Sequence, residues 1–243
     1  MGRVASFHLV RERPGRSALA MARLATDRVR LARTPGAVFT RLLGTGRGDD
    51  TGPSADLSRT ALFAVWNDES DLDRFLADSN ISRRWERSAE VWHVRLRGRG
   101  GHGTWHGVDV LGAIDPGTHD GPVAIITRAN VAWRSWPAFR RAGRVVNTEV
   151  RAASGLLAVV GMGEAPVGRL GTFSLWHSLD DVQRFTRSMP RHREVVRRTR
   201  AQRWYGEELF ARFEPYASAG TWDGRDPLDG ARDARGTTGS SIP

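Results

Sequence analysis

From Met189 to Phe213 the sequence reads MPRHREVVRRTRAQRWYGEELFARF, with one histidine, His192, among six arginines between Arg191 and Arg203. Pro190 suits the first position of a new helix, where its missing N–H costs nothing. On that helix His192, Val195, Val196, Thr199 and Arg203 share one face by three-and-four spacing, and Arg193, Arg197 and Arg200 lie round the side. An imidazole heading a fairly apolar stripe flanked by guanidiniums suits an axial ligand to haem iron. The neutral ring holds the metal, and arginines receive the propionates in charge-assisted forks. Arg197 and Arg200, roughly one and two turns beyond His192, are the arginines in reach of a propionate edge. A capping or surface histidine on a solvated basic helix accounts for the same residues, and on the residues alone it is the weightier reading.

Other groups invite chemistry less strongly. His102 and His106 have the four-residue spacing of a metal pair but sit among glycines, which makes loop histidines the better expectation. His177 follows Trp176 where a strand gives way to a helix, and its polar role there outweighs ligation. Trp133, Trp136 and Phe139 pack a helix against a sheet or line a cavity, with packing favoured. Gly44/Gly46 and Gly161/Gly163 form two Gly-x-Gly pairs, each followed by another strand where a phosphate site needs a third glycine and a helix, so a bulge or hairpin exit is expected. No Ser-His-Asp order or paired-carboxylate pattern stands out.

The elements that must position these residues recur. Ala61 to Phe75 (ALFAVWNDESDLDRF) lines up with Gly171 to Phe185 (GTFSLWHSLDDVQRF), pairing Trp66 with Trp176 and Phe75 with Phe185. Each segment is an apolar strand followed by helical spacing, Leu72, Phe75 and Leu76 in one and Val182, Phe185 and Met189 in the other. Each helix has an N-cap with an acid three residues on, Asp68 with Asp71 and Ser178 with Asp181. Upstream lie a strand and a helix in both halves, Val4 to Val10 with Ser17 to Ala32, and Val123 to Val131 with Pro137 to Val150. Closing strands follow at Glu90 to Leu96 and Glu207 to Phe213. The order β-α-β-β-α-β in each half predicts an α+β chain of duplicated ferredoxin-like units, residues 1–97 and 122–216, whose sheets pair into one eight-stranded barrel. Residues 98–121 read as a glycine-rich linker, and 217–243, poor in apolar residues, as a disordered tail. The second half carries the histidine-bearing insertion and therefore the expected site.

Composition narrows the class. At 243 residues and 40% hydrophobic content the chain can bury a substantial core. Its longest apolar runs fall far short of the roughly 20 residues a bilayer span requires, and charge enters too early for a signal peptide, so a cytoplasmic location is expected. The absence of cysteine excludes disulfides, thiolate ligands and cysteine nucleophiles. Lysine is absent too, so all 37 basic residues are arginine and Schiff-base chemistry is excluded. The net charge of +10 favours an acidic partner: nucleic acid, an anionic membrane face touched peripherally, or an acidic protein such as a ferredoxin. Nucleic acid is discounted, because the aromatic-rich RNA-recognition signature is nowhere in the chain.

The set TFSLW at Thr172 to Trp176, His192, and TRAQRWYGEELFARF at Thr199 to Phe213 resembles the spheroidene monooxygenase family of carotenoid biosynthesis. LLGTG at Leu42 to Gly46, AVW at Ala64 to Trp66, TRA at Thr127 to Ala129 and GMGEAP at Gly161 to Pro166 support the likeness, which covers residues 1 to 216. The resemblance implies a dimeric α+β barrel-type fold and a haem b-dependent monooxygenase that oxidises an acyclic carotenoid to a ketone with O2 and ferredoxin-type electrons. It also implies His192 as the iron ligand. Two alternatives stay open: a histidine-ligated haem enzyme with peroxidase- or dehydratase-like chemistry, and a cofactor-free α+β barrel that binds a ligand or partner.

Overall fold

The computed structural model describes residues 2–46, 55–112, 114, 117, 119–131, 134, 150, 152–164, 168–188 and 205–231. The elements run β1 (Val4–Arg11), α1 (Ser17–Ala32), β2 (Ala37–Gly46), β3 (Ala55–Trp66), α2 (Glu69–Asp78), α3 (Asn80–Trp85), β4 (Glu90–Gly103), β5 (Val123–Val131), β6 (Leu156–Gly163), β7 (Arg169–Trp176), α4 (Leu179–Ser188) and β8 (Tyr205–Gly220). All strand pairings are antiparallel, and they close a barrel in the order β1-β3-β2-β6-β7-β5-β8-β4. Around this ring the run β4-β1-β3-β2 is answered by β8-β5-β7-β6. The predicted helix from Pro137 is described only at Val150, and the predicted helix from Pro190 lies outside the described residues.

Alternation along the strands sorts side chains between two environments. Ala5, Phe7 and Leu9 of β1 point into the barrel with Phe63, Trp92, Phe173 and Phe213. The interior is filled, not hollow: Phe7 stacks on Phe173 from the other half with ring centroids 3.9 Å apart. Outward-facing Leu62, Ala64 and Trp66 meet Leu72, Phe75 and Ile81 of α2 and α3. In the second half Val123, Ile125 and Trp176 meet Val182 of α4, with Phe185 against them.

Both predicted N-caps form. The Asp68 carboxylate accepts from the Asp71 N–H at 3.1 Å, and the Ser178 hydroxyl from the Asp181 N–H at 3.2 Å. The acids at Asp71 and Asp181 then fill the space beside Gly36 and Gly155, whose φ angles are +78° and +92°. A Cβ at either glycine would fall 2.0 Å or 2.4 Å from the aspartate Cγ, so the helix start and the turn before β2 or β6 are locked together. The short helix α3, capped by Ser79 through the Ser82 N–H at 2.9 Å, has no counterpart in the sequence reading.

The Gly-x-Gly pairs lie at a seam and not at a phosphate site. Gly44 pairs with Gly163 and Thr45 with Met162, the only rungs between β2 and β6 among the described residues. Register slips beside Gly44, as expected for a bulge. Arg28 of α1 staples this seam, donating to the Leu42 carbonyl at 3.3 Å and the Glu164 carbonyl at 3.1 Å. The opposite seam, β4 with β8, is long, running from Trp92↔Gly220 to Gly103↔Leu209 with register shifts between Arg95 and Leu96 and between Gly98 and Gly100.

Two expectations about the connections need correction. Residues 98–103 of the predicted linker continue β4, and Trp105, Val110 and Leu111 beyond it are buried. Likewise β8 extends to Gly220, and Trp222, Leu228 and Ala231 of the predicted tail are buried. The glycines that look like linker composition supply backbone geometry, and single large apolar side chains anchor each segment. Residues 232–243 lie outside the described residues.

Candidate functional site: the charged end of the barrel

Leaving β4, the chain makes the turn Thr104-Trp105-His106-Gly107-Val108; leaving β8, it makes Thr221-Trp222-Asp223-Gly224-Arg225. In each, tryptophan bridges to the residue three further on, and both central residues have positive φ: 53° and 74° at His106 and Gly107, 55° and 85° at Asp223 and Gly224. These are the dihedral signs of a type I′ turn. The glycine before each turn is obligatory, since a Cβ on Gly103 or Gly220 would lie 2.0 Å from the carbonyl oxygen of Glu208 or Val91. Asp109 and Asp226 finish the motif alike, accepting from the Leu111 and Leu228 N–H groups at 2.9 Å and 3.0 Å. Because β4 and β8 are antiparallel, the two turns cap opposite ends of the barrel. Each sends its indole inward, Trp105 onto Phe63 at 5.5 Å and Trp222 onto Trp92 at 5.4 Å.

The cap at Trp105 gathers four ionisable side chains, Arg128, Glu164, Glu207 and His106. Arg128 of β5, its side chain 2% exposed, donates through Nη1 to Glu207 of β8. Its Nε lies 3.5 Å from Oε1 of Glu164, and neither Nε nor Nη2 makes a hydrogen bond. Glu207 also accepts from the Thr104 hydroxyl and the Gly107 N–H, both at 2.9 Å. Glu164, just past β6, accepts from the Trp105 indole N–H, and its other oxygen lies 2.6 Å from His106 Nε2. Burial opposes the charge on both carboxylates, but the donors outweigh it. Glu207 is brought down to about 2 by Gly107, Thr104 and Arg128, and Glu164 is lowered by His106, Trp105 and Arg128. Both carboxylates are thus favoured in their ionised form, which suits them to pinning the barrel end through Arg128.

The sequence-predicted ligands fare differently. His192, Arg197 and Arg200 lie outside the described residues, as do Trp133, Trp136 and Phe139; the chain re-enters the description at Tyr205, paired with Val131 at the end of β5. His102 belongs to β4 and not to a loop, stacked on Phe210, while His106 is committed to Glu164 as above. His177 is exposed, its N–H donating to the Gly155 carbonyl at 2.8 Å, as Asn67 does to Gly36 at 2.9 Å. His119 lies 2.8 Å from the Pro122 carbonyl oxygen and 3.6 Å from Glu214. His8 and His93 face each other beneath Trp85, with His8 bonded to the Ser6 hydroxyl at 2.8 Å. Burial lowers the pKa of both, reinforced at His8 by His93 and Arg95, and at His93 by Arg95. Among the described residues no group of three or more His, Asp or Glu is arranged to hold a metal ion.

Sequence reasoning missed Arg128, Glu164 and Glu207 because it weighed single groups and not the pairs they form across strands. It set Trp66 beside Trp176, 110 residues apart, and the strand from Glu90 beside the strand from Glu207, 117 apart by subtraction. Arg11 and Arg128, and Trp105 and Trp222, share the second offset, at which Glu164 has no acidic counterpart.

No protein-family model matches the chain. The spheroidene monooxygenase of Rubrivivax gelatinosus is 36% identical over 196 residues, covering 79% of this chain and 73% of that protein. The chain belongs to the spheroidene monooxygenase family. The Rhodobacter capsulatus member is 30% identical over 197 residues, 80% of this chain and 82% of its own. The Cereibacter sphaeroides member is 32% identical over 205 residues, and the match spans only 63% of that protein. Among solved structures, an aldoxime dehydratase in complex with butyraldoxime superposes with a TM-score of 0.59 at 14% identity, over 88% of this chain and 79% of that one. At that identity the likeness shared with the spheroidene monooxygenase family chain is one of fold.

Proposed function

We propose that this chain is a haem b-dependent monooxygenase that oxidises an apolar substrate, an acyclic carotenoid of the spheroidene type, with O2 and electrons from an acidic ferredoxin-type donor. The observation that carries the reading is the 36% identity to a named spheroidene monooxygenase over most of both chains. Bound haem would supply activation of O2 for attack on an unactivated C–H bond. In this reading His192 holds the iron, and Arg197 and Arg200 take the propionates. Of the six described histidines, His106 is held by Glu164, His119 by the Pro122 carbonyl and His8 by Ser6 through Nε2, its Nδ1 being buried without a partner; His102 and His177 are exposed, and His93 lies against His8. The +10 charge favours the acidic donor. No described helix is long and apolar enough to cross a membrane.

We also infer that the chain is a duplicated ferredoxin-like unit. The answering strand orders, the matched Trp66 and Trp176 pairings with Val4 and Val123, and the twin caps support this.

The test is the absorption spectrum of the purified full chain beside His192→Ala and Arg200→Ala. Wild type should show a Soret band and convert an acyclic carotenoid given reduced ferredoxin. His192→Ala should lose the histidine-ligated spectrum, and Arg200→Ala should retain haem more weakly by about 1–3 kcal/mol, the worth of a charge-assisted bond. An unchanged Soret band in His192→Ala would place the iron elsewhere; no band in wild type would remove haem from the account.

A further inference from the structure

On the outside of the first half, α1 is held to the sheet mainly through its C-terminal turns, where Asp27 and Leu31 are buried. Its N-terminal half stands off. Between it, α3 and the outer face of β2 and β3 lies a cleft of about 360 Å³, within the range of small-molecule sites. The floor is apolar: Leu24, Leu42, Ile81 and Trp85. Leu19 of α1 lines the mouth and is 49% exposed.

The rim is cationic. Arg16, Arg23, Arg84 and Arg87 face two carboxylates, Glu12 and Asp27. Asp27 is taken already, by Arg84 at 2.5 Å and Arg30 at 3.4 Å. Arg16, Arg23 and Arg87 make no ion pair among the described residues and are exposed. Free guanidiniums above an apolar floor bind one chemical class best, an amphipathic anion with an acyl chain and a phosphate or carboxylate head. The half-exposed leucine beside them gives α1 the character of an interfacial helix, apolar and basic at once.

We propose that the cleft between α1 and α3 seats an anionic phospholipid of a bilayer, so that the first half of the barrel docks on a negatively charged membrane. The proposal does not rest on the haem reading, because its residues and its test are separate. This choice of a bilayer as the source rests in part on the proposed carotenoid substrate, since the surface where a long hydrocarbon dissolves is also the place to dock.

Co-sedimentation of the full chain with phosphatidylcholine vesicles, with and without phosphatidylglycerol, tests it. Wild type should bind only the anionic vesicles, less as salt is added. Replacing Arg16, Arg23 and Arg87 together with Gln should weaken partitioning about a hundredfold, at roughly fivefold per charge near the surface. Leu19→Asp should also release the protein. All four positions are exposed, so circular dichroism should report an intact fold. The control removes the same charge from the second half, Arg169, Arg184 and Arg187 to Gln, and should bind nearly as wild type. Equal loss in both triple variants would reduce the effect to net charge and overturn the site. Binding of soluble dodecyl phosphate without binding to anionic vesicles would overturn the bilayer as its source.

Discussion

The turn after β4 and the turn after β8 share threonine, tryptophan, glycine, aspartate and leucine at matching places, yet His106 stands in one where Asp223 stands in the other. Around them the frame is the same: Glu207 accepts from Thr104 and Gly107, and Glu90 from Thr221 and Gly224. The charges are arranged differently. Asp223 reaches two arginines, Arg11, 38% exposed, and Arg59, buried, which also lie 3.4 Å and 3.9 Å from Glu90. His106 instead turns to Glu164, and Arg128 lies buried between two carboxylates. One backbone device thus closes both ends of a barrel, each with a strand glutamate beneath it, Glu207 or Glu90, and the residue at its tip decides whether the turn adds its own acid, Asp223, or a histidine that engages Glu164.

Deleting the indoles should have the largest effect. Trp105→Ala and Trp222→Ala each remove a buried aromatic from the barrel core and should cost about 3–5 kcal/mol in chemical denaturation. Trp105 should cost more, since Glu164 then also loses a donor. A Trp222→Ala protein as stable as wild type would show that the second cap is not structural. Next come the arginines. Arg128→Ala removes a buried guanidinium from two half-buried carboxylates that keep their other donors and should cost about 3 kcal/mol, whereas Arg11→Ala, at a half-open end, should cost about 1 kcal/mol or less. Equal costs would erase the distinction between the ends.

A smaller effect tests the likeness of the halves in place of the caps. Gly36→Ala and Gly155→Ala each put a Cβ into an aspartate at positive φ and should each cost about 1–3 kcal/mol. The smallest effect is in pH. Glu207 has its pKa lowered to about 2 from an ordinary 4.5, so its stabilisation is complete above pH 4.5 and is lost as pH falls from there toward 2. Thermal melts should show wild type more stable than Glu207→Gln at neutral pH, with the gap closing on acidification through that window. A gap independent of pH would assign the loss to packing.

Much of the frame was legible in the chain. Val123 to Val131 and Ser17 to Ala32 are read from the sequence with the bounds they have in the fold, because apolar alternation and three-and-four spacing are local properties. The caps at Asp68 and Ser178 were legible for the same reason: donor and acceptor are three residues apart. His192 with its arginines, and the family likeness around it, also came from sequence alone. The glycines from Gly98 to Gly107 and the polar run after Ala217 were misread. Composition records how many glycines there are, but not that Gly103 must clear the Glu208 carbonyl or that Trp222 must find the space beside Trp92. Arg128 and Glu207 come from two strands and Glu164 from the end of a third, and the cleft under α1 from two helices and a sheet. Burial, ion pairing and cavity shape depend on residues distant in sequence meeting in space, so only the closed barrel decided them.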